Sequence, residues 1–445
     1  MPLLPFLRDN ARWLGAAFLL LLASAFGQTF FIALSAGELR AALALTDGGF
    51  ATLYMAATLL AAGLLTLTGP AIDRHPAGRV AAGSVAGLAA GALLLALATD
   101  LALTGLALVL LRLFGQGMLV HVAFTCLGRW FGASRGRAVA LATLGFTLGQ
   151  AVTPIAAVAA IEAVGWRTTW AVAAALLLVV VMPLAGRLFA RERIAEEERE
   201  IGEAGGAPAV EPPEGRPSVT ASEAGHETGG AAPARSVTPA RDWTRREVLV
   251  DPMFYLLLAG MLPPAFISNM VFFHQIHLVE LRGWDLETFV AFFPLLSAVT
   301  VAAALVAGRL VDRFGALRLL PLYLVPFGAG LLVLGLVAAP IAGPAYLVLY
   351  GVTDGISLTL FGALWPEVYG RRHLGAIRSV IVALMVVAAA GGPGLAGLLI
   401  DAGVPYPAIL GAMGLYCLAI PLLLAPAAAR VRRRAGAFRP FPLAD

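Results

Sequence analysis

Apolar stretches of roughly twenty residues recur along the whole chain, and this recurrence restricts what it can fold into. A helix that crosses a bilayer needs about 20 apolar residues, each adding about 1.5 Å of length. Only 13% of the 445 residues are charged, whereas soluble domains carry about 25%. The sequence therefore predicts an all-α membrane protein.

Twelve segments satisfy this length, six on either side of a polar stretch. The first segment also resembles a secretory signal peptide with a cleavage site at Ala23-Ser24-Ala25, but its apolar sequence continues to Ala36 and favours a membrane span. The predicted spans, numbered 1 to 12 in chain order, are residues 13–36, 48–70, 79–98, 101–125, 138–161, 166–189, 252–279, 287–311, 317–339, 343–366, 376–400 and 404–426.

Arginine placement predicts the orientation, because cytoplasmic loops carry an excess of basic residues. With the N-terminus inside, 18 arginines fall in the inner loops and tails, and only Arg40, Arg167 and Arg282 fall in outer loops. Both termini are therefore predicted to be cytoplasmic. The basic net charge is explained by topology, so we expect a lipid bilayer as partner and no nucleic acid.

The chain divides into four parts by composition. Residues 1–189 and 251–428 each hold six spans, and 429–445 form a basic cytoplasmic tail. Residues 190–250 combine the acidic run Glu196-Glu197-Glu198 with Pro, Gly, Ala, Ser and Thr and have no apolar period. Such a segment cannot bury enough surface to fold, which predicts a disordered cytoplasmic linker.

The two six-span halves are related to each other. A shift of 239 residues aligns Gly69, Asp73 and Arg74 with Gly308, Asp312 and Arg313, Leu108-Val109-Leu110 with Leu347-Val348-Leu349, and Pro154 with Pro393. One offset that holds over this distance indicates an internal repeat, which is common in transporters. The halves have the same orientation because each contains an even number of spans.

Both copies of the repeated loop carry a recognisable motif. The first reads G-P-A-I-D-R-H-P-A-G-R from Gly69, and the second reads G-R-L-V-D-R-F-G-A-L-R from Gly308. They resemble the signature G-x-x-x-D-R-x-G-R-R of the major facilitator superfamily, which occupies these two loops. The resemblance implies two pseudo-symmetric six-helix bundles that transport a solute by alternating access. It also implies a cytoplasmic gate formed by Gly69, Asp73, Arg74, Gly308, Asp312 and Arg313; the alternative is that the arginines only anchor the topology.

Other loop motifs are similar to one branch of that superfamily. R-W-F-G-A-S-R-G-R-A from Arg129 and G-W-R from Gly165 resemble the branch that carries monocarboxylates and exchanges oxalate for formate. R-L-F-G-Q-G from Arg112 resembles the family motif of span 4. Gly145, Gly149 and Pro154 match part of a span 5 element that the family associates with export. The resemblance implies a small organic anion as solute.

Two ionisable residues lie about ten residues into their spans, Arg112 in span 4 and Asp354 in span 10. Both are therefore about 15 Å deep, near the bilayer midplane. Charges at this depth cost roughly 2.5–3.5 kcal/mol and are functional candidates. We expect Arg112 and Gln116, one helical turn away, to bind an anionic group, and Asp354 to couple protons or orient the solute. The alternative is an Arg112 held by carbonyls of its own half.

Span 7 contains Pro263-Pro264, which should kink or break the helix, and broken helices in transporters often adjoin the substrate. Asn269 and His274 follow this break, so both are predicted to line the cavity, with His274 as a second proton-coupling candidate. Gln28 and Tyr350 are further cavity candidates. His274 and His277 lack a nearby third ligand, so no metal or cofactor is expected.

The sequence thus predicts a monomeric, multi-pass transporter of the cell membrane that carries a small organic anion with proton coupling or exchange. An alternative is a proton-driven exporter of cationic or lipophilic compounds, favoured by Asp354 and the partial span 5 element. An intramembrane enzyme is disfavoured, because the spans contain no nucleophile–base pair, metal cluster or phosphate loop.

Overall fold

The computed structural model describes residues 3–131, 134–190, 242–370 and 373–436, and within these ranges the chain is helical with no strand. Eleven helical segments there are long and apolar enough to cross a membrane. The prediction of an all-α, multi-pass membrane protein is therefore confirmed.

The first half contains short helices after span 1 and two π-helical segments. Its α-helices are Leu3–Ala23, Thr29–Ile32, Ala36–Leu43, Asp47–Thr68, Ala71–Arg74, Ala77–Leu97, Leu101–Leu110, Val120–Trp130, Arg135–Val164, Trp166–Leu176 and Met182–Phe189. The π-helices are Leu111–Leu119 in span 4 and Leu177–Val181 in span 6, and short 3-10 helices cover Ser24–Gly27 and Ala33–Ser35.

The second half begins before its first span. Its α-helices are Arg245–Val250, Pro252–Met261, Pro263–Phe273, Gln275–Arg282, Leu286–Val290, Phe293–Phe314, Ala316–Leu319, Val325–Leu336, Ala342–Tyr369, Leu374–Asp401 and Tyr406–Gly436.

Spans 1 and 7 are both interrupted. The helix of span 1 begins at Leu3, ten residues before the predicted start, and the chain becomes extended at Gln28, with φ −85° and ψ 154°. The segment predicted as span 1, residues 13–36, is therefore not one continuous α-helix. Span 7 ends one helix at Met261, restarts at Pro263 and ends again at Phe273, which confirms its predicted interruption at the paired prolines.

Span 9 is shorter than expected. The predicted segment 317–339 forms Ala316–Leu319, a turn over 320–324, and the 12-residue helix Val325–Leu336. Pro321 and Pro326 account for the interruption, because proline removes a backbone donor and clashes with the preceding turn. Twelve residues span about 18 Å, less than the bilayer core, so a twelfth crossing remains a prediction.

Helix packing repeats between the halves. Span 1 packs on span 5 and span 2 on span 4, as span 7 packs on span 11 and span 8 on span 10. Between the halves, span 2 packs along span 11 and span 5 along span 8. The internal repeat relates span 2 to span 8 and span 11 to span 5. The two interfaces between the halves are therefore equivalent to each other.

The predicted linker lies mostly outside the described residues, which omit 191–241. Its last part differs from the prediction, because Arg245–Val250 is a helix that Thr244 and Glu247 open with a capping box. At the other end, the helix of span 12 continues to Gly436, so the start of the predicted tail is helical.

A reporter fusion tests the ninth crossing and the predicted orientation together. If residues 316–336 cross the membrane outward, alkaline phosphatase fused after Gly315 should be inactive, and the same enzyme fused after Ala339 should be active, because it folds only outside the cytoplasm. A fusion after Asp100, in a predicted outer loop, is the positive control. Equal phosphatase activity at Gly315 and Ala339 would contradict the crossing.

Candidate functional site

Arg112 is a buried cation at the centre of the first half, with only 2% of its surface exposed. Its Nη1 donates to the carbonyl of Gly27 at 3.1 Å and to Oγ1 of Thr29 at 3.3 Å. The guanidinium also lies over the ring of Tyr54, 5.2 Å from the centroid. Its Nε and Nη2 are buried and have no hydrogen-bond partner in the described residues. Arg112 is thus tied to its own half while two donor groups remain free.

Close backbone contact between spans 1 and 4 places this arginine. A Cβ added at Gly27 would lie 2.3 Å from the carbonyl oxygen of Leu111, and one added at Gly115 would lie 2.6 Å from the Cα of Gly27. The contact falls in the π-helix Leu111–Leu119, a type of segment often found at functional sites. Glycine is required at both positions because no side chain fits between the backbones.

Thr29 connects Arg112 to the second half. Its Oγ1 accepts from the hydroxyl of Tyr54 at 2.8 Å and donates to Oδ1 of Asn269 at 2.5 Å. The Asn269 amide in turn donates to the carbonyl of Ala265 at 2.8 Å. The structure therefore brings Asn269 into one network with Arg112. Thr29 and Tyr54 were missed, because an uncharged residue gives no signal of this kind in an apolar segment.

The two predicted glutamines lie near this network. Gln28 is the extended residue at the break in span 1 and is 8% exposed. Gln116 is half-buried within the π-helix. The expected one-turn relation between Gln116 and Arg112 assumed α-helical geometry, and the π-helix changes it because its hydrogen bonds run from i to i+5.

Asp354 lies among aromatic side chains of the second half and is not part of the Arg112 network. It is half-buried, and its Oδ1 accepts a 3.3 Å hydrogen bond from the hydroxyl of Tyr350. The ring of Tyr350 packs against Phe272, Phe327 and Tyr346 at centroid distances of 5.5, 5.3 and 6.0 Å. No ion pair joins Asp354 to Arg112 within the described ranges, so the two expected midplane charges are not in direct contact here.

His274 lies at the second interruption of span 7 and is 2% exposed. Its Nδ1 is 3.1 Å from the carbonyl of Met270, and its Nε2 is buried without a partner in the part of the chain that is described. The next residue, Gln275, donates from Nε2 to the carbonyl of Phe30 at 2.9 Å, across the two halves. The structure thus places His274 beside the interface between the halves. The role of Gln275 was missed because only tertiary packing brings it to Phe30.

The first copy of the predicted gate makes contacts inside its own half. The Asp73 carboxylate forms an ion pair with Arg129, and Arg129 also donates to the carbonyl of Ile72 at 3.0 Å. Gly69 ends the helix of span 2, and Arg74 is exposed.

The second copy has fewer defined contacts. Gly308 has no atom within 4 Å of an added Cβ, so no close helix approach requires glycine there in this conformation. Arg313 is exposed and lies over the ring of Phe314 at 5.3 Å. The side chain of Asp312 lies outside the described part of the structure. Whether the six residues form a gate remains a prediction.

Comparison with known proteins identifies the fold. The family model of the Major Facilitator Superfamily matches residues 16–340. Two solved structures of a bacterial homologue of the human lysosomal transporter Spinster, both inward-facing, share 16% sequence identity with this chain. The alignments cover 98% of this chain and 99% of each of those chains, with TM-scores of 0.62 for the unoccupied form and 0.64 for the occupied form. None of the curated proteins matches the chain.

The glycine contact at Arg112 can be tested by substitution. We expect Gly115→Ala to lower the free energy of unfolding by about 1–3 kcal/mol, because the added Cβ overpacks against the backbone of span 1. Gly128→Ala, in the helix Val120–Trp130 that continues this span, has no atom within 4 Å of the new Cβ. It is the matched control and should not lower the free energy of unfolding. Thermal unfolding of detergent-purified protein measures both. Equal Tm values for the two variants would refute the contact.

Proposed function

Because the chain belongs to the major facilitator superfamily, we propose that it carries a small organic anion by alternating access, with proton coupling or exchange. Membership makes the chain a membrane transporter rather than an enzyme. The proposed solute class goes further and depends on one observation, the two free donor groups of Arg112. The resemblance of the loops to the monocarboxylate branch supports the same class.

The free donors of Arg112 are those that best suit a carboxylate. Nε and Nη2 lie side by side on one edge of the guanidinium, and such an edge binds a carboxylate through two parallel hydrogen bonds. A buried cation without a counter-ion is costly, and the rings and hydroxyls around Arg112 carry no negative charge. A solute carboxylate would supply it. Gln28, Gln116 and Asn269 would add neutral hydrogen bonds from both halves.

Access to Arg112 requires a rearrangement, because its side chain is 2% exposed in this conformation. The contacts that cover it include Thr29 at the break of span 1, and Thr29 is bonded to Asn269 of the other half. Separation of the halves would break the Thr29–Asn269 bond. We therefore propose that the arginine becomes available to solute as the halves move, which links binding to the transport cycle.

Asp354 and His274 are the proposed proton-coupling residues. The chain has no lysine, and arginine stays protonated, so coupling must use carboxyl or imidazole groups. Asp354 has a hydroxyl donor in Tyr350 but no cationic partner among the described residues. His274 offers a buried Nε2 without a partner in the described ranges.

A second candidate function is proton-driven export of cationic or lipophilic compounds. The observation that favours it is the set of aromatic rings around Tyr350, next to the carboxyl of Asp354. Aromatic faces and a carboxylate together attract organic cations. In this alternative Asp354 binds solute and proton in turn, and Arg112 has only a structural role.

The remaining proposals concern the gate and the location. In the present conformation Asp73 pairs with Arg129 of the same half, so a latch between the halves would form only when the cytoplasmic side closes. We further propose that the transporter acts as a monomer in the cell membrane.

Transport assays with Arg112 variants separate the two candidate solutes. In proteoliposomes, Arg112→Gln should weaken uptake of a labelled monocarboxylate about 30-fold or more, because truncating one partner of a buried charge pair costs about 2–5 kcal/mol. Arg112→Lys keeps the charge but loses the two-donor edge, and should be intermediate. Arg430→Gln, at an exposed position near the end of span 12, is the control. Retention of lipophilic-cation transport in Arg112→Gln, with no monocarboxylate transport by the wild type, would favour the exporter.

Proton coupling is tested at Asp354. Asp354→Asn keeps the shape and the contact with Tyr350 but cannot change charge. We expect this variant to lose accumulation of solute driven by a pH gradient while retaining solute exchange at equal pH on both sides. Undiminished accumulation in Asp354→Asn would transfer the coupling role to another group, with His274→Gln as the next variant to measure.

A further inference from the structure

A cluster of charged side chains joins the two halves at the end predicted to be extracellular. Nδ1 of His277, in the second half, lies 3.5 Å from Oδ2 of Asp47, in the first half. Asp47 also forms an ion pair with Arg40 of its own half. Beside this pair, Thr46 donates to a carboxylate oxygen of Asp401 at 2.6 Å, again between the halves.

We propose that the Asp47–His277 pair is a proton-sensitive latch, through which acid on the outer side holds the two halves closed. The pair exists only while span 2 and span 7 are together, because its members belong to different halves. A protonated imidazole attracts the Asp47 carboxylate through its charge, whereas a neutral one can offer only a hydrogen bond from Nδ1. Histidine changes charge between about pH 5 and 8, so acidification should favour the closed form.

The charged groups around His277 determine whether acidification strengthens or weakens the Asp47–His277 pair. The carboxylate in contact with the imidazole is that of Asp47. Glu280 lies on the same helix as His277, Glu38 lies on the helix Ala36–Leu43 packed against it, and Glu287 of the next helix lies against Glu162 of span 5. Opposing cations are Arg40, which also contacts Asp47, and His274 when protonated. Arg282 points elsewhere, because its guanidinium donates to the carbonyls of Leu334 and Gly335. The imidazole therefore contacts a carboxylate directly, and protonation strengthens that contact although Arg40 shares the same carboxylate.

The latch is reachable from solution. The side chains of His277 and Asp47 are 23% and 20% exposed, so protons can exchange without opening of the halves. A small recess lies beside them and is lined in part by Arg40, His274 and Phe273. The ring of Tyr406 packs edge-on against His277 at 5.6 Å and holds the imidazole in place without adding charge.

Spin-label distances test the latch without any solute, so the result is independent of the proposed anion. Labels at Thr99→Cys and Ala339→Cys occupy exposed loops of the two halves, with Cys126 and Cys417 replaced by alanine. In full-length protein in nanodiscs, the ratio of closed to open distances should rise about two- to five-fold from pH 8 to pH 5.5, the range expected for a partly exposed pair. His277→Gln should remove this rise, and His75→Gln, an exposed histidine in the loop between spans 2 and 3, should keep it.

If the glutamine variant does not fold, the same distances are measured in His277→Arg. A permanent cation should keep the closed population high at both pH values. The latch is refuted if His277→Gln keeps the full pH response, if His277→Arg opens at pH 8 as the wild type does, or if acid opens the wild-type protein.

Discussion

The structure depends on how backbone groups are satisfied where a membrane helix is interrupted. Lipid offers no hydrogen-bond partner, so an irregular segment at membrane depth must be buried in protein. Span 1 is interrupted at Gln28, and two side chains bind the carbonyls around it. Arg112 donates to Gly27 from span 4 of the same half, and Gln275 donates to Phe30 from span 7 of the other half. The interruption is thus held from both halves.

This arrangement explains why a charged residue is tolerated at the centre of span 4. An arginine on an isolated helix at this depth costs several kcal/mol, but here one end of its guanidinium replaces the missing partner of a broken helix. The structural and functional alternatives for Arg112 are therefore compatible. Nη1 binds the backbone of span 1, and Nε and Nη2 have no partner among the described residues.

Small residues at the interface between span 2 and span 11 allow the two halves to pack closely. A Cβ added at Gly397 of span 11 would lie 2.6 Å from the Cβ of Ala51, and one at Gly394 would lie 2.5 Å from the sulfur of Met55. Both contacts occur in the first half of span 2, at the end predicted to be extracellular. Packing against small residues can separate and re-form as rigid surfaces, which suits alternating access. The polar pairs Asp47–His277 and Thr46–Asp401 join the halves at the same end.

The sequence was sufficient for the spans and the repeat, and insufficient for the site. Apolar length is a local property, so eleven of the predicted spans were found, and the aligned Asp73 and Asp312 loops pointed to the correct superfamily. Span 9 is not a continuous helix, because Pro321 and Pro326 interrupt it despite its high hydropathy. The π-helix around Arg112 and the interruption at Gln28 depend on the Gly27–Gly115 contact between distant segments, which no local pattern encodes. Thr29 carries the connection between halves for the same reason: its importance comes from three partners in three different spans.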